Sequence, residues 1–189
     1  MVLKRSGIKI SEIKDILQSV LAAHHADIIF KDSGDELLNG AFIFRTPIGQ
    51  LRCTLAGCDD EESIVIRAGL VREDGPLIVP EERRNDASIL IATINALTKD
   101  GCTWGLSLKE GIPVMLDHMS AFALMATPDS AEWEIFRTVL RLERAMATHL
   151  PLWEYVINGG DVTDMPKIRE LIIQGAEAHY ENRYAKKEN

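Results

Sequence analysis

No run of apolar residues in this sequence approaches the roughly 20 that a helix needs to cross a bilayer. Cysteine is scarce: Cys53, Cys58 and Cys102 are the only three in 189 residues. An odd number in a chain long enough for its own core argues against a disulfide framework and for a reducing cytosol. Positive charge is outnumbered, with 21 Lys and Arg against 29 Asp and Glu, for a net charge of -8. Phosphate backbones and anionic lipid are repelled by such a chain, so no nucleic acid and no membrane surface is expected as its partner. A phosphate cradle is missing too, because the glycines of GLVREDGP (69–76) stand too far apart and no Lys-Ser/Thr pair follows. There is no Gly-x-Ser-x-Gly elbow, no internal repeat and no low-complexity segment. MVLKRSGIKISEIKDIL continues as a charged helix pattern where a signal peptide would place its apolar stretch, so a cytoplasmic location is expected.

What is present fits an ordinary globular protein, with 46% hydrophobic and 26% charged residues. Ile10, Ile13, Leu17, Val20, Leu21 and His24 recur at three- and four-residue steps and predict a first helix over 11–25, with Ser11 as its N-cap. KDSGDELLNG supplies turn chemistry. Leu51, Cys53 and Leu55 alternate with Gln50, Arg52 and Thr54, which predicts a hairpin of strands 41–45 and 50–55 turning through Thr46-Pro47-Ile48-Gly49. SIVIRAGL reads as a third, antiparallel strand, since its connection is too short for a crossover helix. A second helix runs from Pro80 toward Gly101. Strands over 104–108 and 113–124 follow around the turn Lys109-Glu110-Gly111, and Gly105 marks a bulge or a close backbone approach. Thr127-Pro128-Asp129-Ser130 opens a third helix over 131–149, whose apolar arc is broad and which Pro151 ends or kinks. Pro166 opens a fourth over 167–184, with Ile168, Leu171, Ile172 and Gly175 on one face.

The fold class that follows is α+β: a mainly antiparallel five-stranded sheet in the order α-βββ-α-ββ-α, packed with helices, plus an extra C-terminal helix. That order resembles the fold shared by type III secretion chaperones and YbjN-like proteins. VPEERRNDASILIATINALTKDGCTWGLSLKEGIPVMLDHMSAF is similar to the YbjN-like pattern of a Pro-led helix ending in an apolar-Asn pair, here Ile94-Asn95, followed by two strands around a polar turn. The closing HLPLWEYVINGG also resembles that family's end, so the likeness covers about residues 8 to 160. Residues 1–160 are expected as that domain and 161–189 as a helical extension. The GCDDEES loop departs from the pattern. The resemblance implies a non-enzymatic, chaperone-like or regulatory protein, homodimeric, that buries apolar segments of a protein partner and uses no cofactor.

Cys53, Cys58 and Cys102 with His24, His25 or His118 lack the paired spacing of a structural zinc site, so no metal is expected. Cys102 with His118 offers a nucleophile pair, but Cys102 follows a helix C-terminus, whose dipole opposes a thiolate. Asp59, Asp60, Glu61 and Glu62 lack the spacing of a calcium loop. The alternative reading is a ligand-binding or thiol-dependent enzyme domain using Cys102, His118 or Asp117, with its pocket between sheet and helices. Apolar side chains remain: Trp104, Met115, Met119, Trp133, Met146 and Trp153 are the expected partner contacts, and Phe122 and Met125 add to the apolar set, although a Met-rich set packs a core more commonly than it meets partners.

Overall fold

Strand alternation, more than any single motif, sets the sheet. The computed structural model describes residues 10–23, 26, 28–30, 38–57, 63–97 and 102–184. β2 (Asn39–Thr46) and β3 (Gly49–Gly57) form the expected hairpin, and β4 (Ser63–Arg72) pairs antiparallel with β3. Gly49 closes that hairpin at φ 136°, where a Cβ would stand 2.7 Å from the Val71 carbonyl oxygen. β6 (Thr103–Leu106) and β7 (Pro113–Ser120) form the second hairpin, and β7 joins β4.

Two strands were not expected. β1 (Ile28–Phe30) pairs with β2, and β5 (Gly75–Pro76) pairs with β4. The sheet therefore has seven antiparallel strands among the described residues rather than five, with the path β1-β2-β3-β4-β7-β6 and β5 beside β4. Strands of three and two residues are too short for alternation to register, and only pairing with a longer neighbour reveals them.

Helices cover one face. α1 (Ile10–Ala23), a 3-10 turn (Glu81–Arg83), α2 (Arg84–Leu97), α3 (Ala121–Ala126), α4 (Pro128–Ile157) and α5 (Met165–Tyr184) complete the described chain. Leu51, Cys53 and Leu55 of β3, with Ile64, Ile66 and Ala68 of β4, are at most 2% exposed and form one core with Leu17, Leu21, Leu90, Leu142 and Trp153 of the helices. No helix among the described residues is long and apolar enough to cross a membrane.

Two helix boundaries correct the sequence expectations. Residues 121–124 are helical rather than strand, because the Ser120 side chain accepts from the Ala123 N–H and caps a run of good helix formers. Pro151 does not end the third helix: α4 continues through it for six more residues to Ile157. The start of α4 is as expected, with Thr127 and Ser130 exchanging the reciprocal bonds of a capping box.

Beyond Asp161, Val162, Ile168 and Leu171 are buried and join this core. α5 meets α4 at Gly175, where a Cβ would stand 2.1 Å from the Thr148 carbonyl oxygen and 3.0 Å from that of Ala147. The Ala147 carbonyl is the one that would bond an amide at Pro151, so glycine lets α5 lie on bare backbone where proline has removed a donor. Gly175→Ala is expected to cost at least 1–3 kcal/mol, because backbone and not a flexible side chain must yield. Urea unfolding would read it, and an unchanged midpoint would contradict the close packing.

Candidate functional site

The structure separates the expected contact residues. Trp104 and Met115 on the hairpin, Met119 on β7, and Met146 and Trp153 on α4 are each at most 2% exposed. The chain's own helices cover them, so their apolar surface goes to the core. The Trp104 ring packs tilted against Trp153, with centroids 5.3 Å apart, and meets His149 edge-on at 5.7 Å. Asn95 fixes Trp104 from outside the sheet: its amide donates to the Trp104 carbonyl at 3.0 Å, and its carbonyl accepts the Trp104 N–H at 2.9 Å. The outer hydrogen bonds of edge strand β6 are thereby occupied at that residue. Trp133 alone of the six is exposed, at 64%, and lines a groove of about 530 Å³ between α4 and α5 with Arg137, Arg144 and Tyr180. Phe122 is also exposed, whereas Met125 is half-buried.

The proposed nucleophile pair does not assemble. Consecutive strand residues point to opposite faces, so Asp117 is buried and His118 faces outward. The Cys102 thiol instead donates to Asp117 Oδ2 at 3.6 Å. Asp117 is held by Arg141, whose Nη2 lies 2.7 and 2.8 Å from its two oxygens, and by the His118 N–H at 2.7 Å. The thiol thus donates to a carboxylate that an arginine already engages, and His118 lies on the opposite face of the sheet from it. Burial pushes the Cys53 thiol up to about 12, so it stays protonated at neutral pH. Among the described residues no group of three or more His, Cys, Asp or Glu could hold a metal. His24, His25, Cys58 and the acidic run Asp59 to Glu62 lie outside the described residues.

What the helices leave uncovered is the other face of the sheet. The register aligns its outward side chains in rows: Arg45, Gln50 and Val71; then Ile43, Arg52, Gly69 and Val114; then Ala41, Thr54, Arg67 and Leu116; then Asn39, Ala56, Val65 and His118. Ile29 and Ile43 are 73% and 46% exposed there. Two shallow grooves of about 610 and 490 Å³ adjoin across the face and share Arg52 and Thr54. The second runs up to Glu110 and Ile112, where the β6–β7 turn folds over its rim. Alternation puts Arg52 and Thr54 on the side of β3 opposite Leu51, Cys53 and Leu55, but the neighbours of each side chain depend on strand register, which the sequence does not display.

The class these features define is an α+β domain with an open antiparallel sheet, helices on one face and an exposed, mixed apolar and cationic surface on the other. No protein-family model matches the chain, and no curated protein matches it.

Proposed function

We propose that this chain is a cytoplasmic, non-enzymatic protein-binding domain of the YbjN-like or secretion-chaperone-like kind, which shields an apolar segment of a partner. The observation that supports this reading is the open sheet face. A two-layer domain normally buries one face of an antiparallel sheet and wets the other with polar side chains, yet on the outward side here Ile29 and Ile43 are exposed and Val65 and Leu116 half-buried, beside a buried Val114. Apolar side chains interspersed with arginine are the composition that protein interfaces favour. The edge of β6 is a poorer dock, since Asn95 already bonds the Trp104 backbone.

The test is affinity purification of the tagged chain from its native host, with the Ile43→Asp/Leu116→Asp variant alongside. Both substitutions sit on the outward face, so the fold should survive while the apolar contact is lost. Proteins recovered with the native chain are expected to fall by about tenfold with the variant, the effect of roughly 1.4 kcal/mol at an interface. Equal recovery with both would refute the reading.

A further inference from the structure

Of the 189 residues 29 are acidic, yet none occupies an outward position of β2, β3, β4 or β7, where three arginines stand. Those arginines are ordered. Arg45 faces Gln50, two residues before Arg52; Arg52 faces Gly69, two residues after Arg67; and Arg67 faces Leu116, two residues before His118. Arg45, Arg52 and Arg67 thus descend a single diagonal, one strand across and two residues along at each step, and His118 continues it onto β7. Diagonal neighbours of this kind lie about 7–8 Å apart. No ion pair among the described residues engages these three, although Arg72, Arg83, Arg137 and Arg141 each have a carboxylate partner. Among the described residues lining these two grooves Glu110 is the one acid, at the rim, and it accepts from the Ser107 hydroxyl at 3.1 Å.

We propose that this diagonal is the recognition stripe for an acidic, extended segment of a partner protein, with carboxylates at alternate positions and apolar residues beside them. The inference rests on the protein-binding reading above and names its occupant. An extended chain repeats its same-side residues about every 6.6 Å, close enough to the arginine spacing for long guanidinium side chains to span the difference. The partner's apolar residues settle on Ile43 to one side of the stripe and on Leu116 to the other. A second copy of this chain does not fit, since stacking two such faces about a two-fold axis would set arginine stripe against arginine stripe. Single-stranded nucleic acid has suitable charge, but the rows carry no Phe, Tyr or Trp on which bases could stack.

The experiment is selection from a displayed library of random peptides, about twelve residues long to exceed the width of the face. Fluorescence anisotropy would follow with the enriched peptides and with an oligothymidylate of similar length. Enriched peptides should be net negative with acids at alternate positions, should bind about tenfold or more weakly to R45E/R52E/R67E, and should weaken as salt rises. R45Q/R52Q/R67Q, which removes charge without reversing it, gives the same reading if the reversal does not fold. The proposal falls if enriched peptides are neutral or basic, if charge reversal leaves their affinity unchanged, or if the oligothymidylate binds more tightly. Where peptides bind the native chain and lose affinity in I43D/L116D but not in R45E/R52E/R67E, only the acidic partner is overturned and the protein-binding reading stands. Where no peptide is enriched over I43D/L116D, both fall.

Discussion

Trp153→Ala should lower the unfolding free energy by about 3 kcal/mol, whereas Trp133→Ala should change it by no more than about 0.5 kcal/mol. Both side chains are expected partner contacts on sequence grounds, and both lie on α4. Trp153 is fully buried against Trp104. Its removal forfeits the transfer energy of an indole and leaves a void, together worth about 3–5 kcal/mol in a core that cannot collapse. One effect opposes this: the buried Trp153 indole N–H has no hydrogen-bond partner among the described residues, and deleting it relieves a desolvation cost of about 1–3 kcal/mol. The void wins, but the total belongs near the lower bound. Trp153→Phe separates the two effects, since it keeps most of the ring and discards the N–H, and should cost about 1 kcal/mol. In a chain of this size, 3 kcal/mol is a fall in melting temperature of roughly 6–12 °C, visible by circular dichroism. Equal effects at positions 133 and 153 would place Trp153 outside the core.

Asp117→Ala is expected to cost about 3 kcal/mol or more. The carboxylate is 3% exposed and receives the Arg141 guanidinium, the His118 amide and the Cys102 thiol. Removing one partner of a buried ion pair costs about 3–5 kcal/mol, because the other charge is left without compensation. Arg141 keeps a 29% exposed side chain and can turn partly toward water, which moderates the loss. Asp117→Asn, which keeps one acceptor, should cost less. The double variant Asp117→Leu/Arg141→Met should recover much of the stability, since apolar replacements of similar volume often match a buried pair. Guanidinium unfolding with the slope held constant across the set would measure all three. A neutral Asp117→Ala would show that the pair contributes nothing to the fold.

These residues show how much of the molecule could be read in advance. The β2–β3 hairpin was legible because Leu51, Cys53 and Leu55 alternate without interruption, and the start of α4 because Thr127 and Ser130 carry the chemistry of its cap. Gly175 was placed on the correct face of its helix, although nothing local signals the neighbouring backbone that excludes a side chain there. The apolar run past Ser120 suits either period, so alternation alone predicts strand where the chain turns helical. Periodicity also tells which residues share a face but not what covers that face, and so Trp104, Met115 and Trp153 can be read as core or as interface. The arginine diagonal was less visible still. Arg45, Arg52 and Arg67 are 7 and 15 positions apart in the chain, and only the pairing of three strands brings them into line.

Arg83 carries a consequence for the order in which the chain can be completed. From the turn before α2 its Nε donates to the Val156 carbonyl at 2.9 Å, its Nη2 donates to the Gly160 carbonyl, and Nη1 pairs with Asp86 at 2.8 Å. The Val156 carbonyl in the last turn of α4 and the Gly160 carbonyl just beyond it thus receive donors from a residue made more than seventy positions earlier, in addition to the local amides of Asn158, Gly159 and Gly160, and a cation also suits that end of the helix. Such a closure has high sequence separation and waits on the docking of both segments. The final turn of α4 should therefore protect its amides late during refolding, and in native-state exchange it should open together with the Pro80 turn rather than with the middle of its own helix.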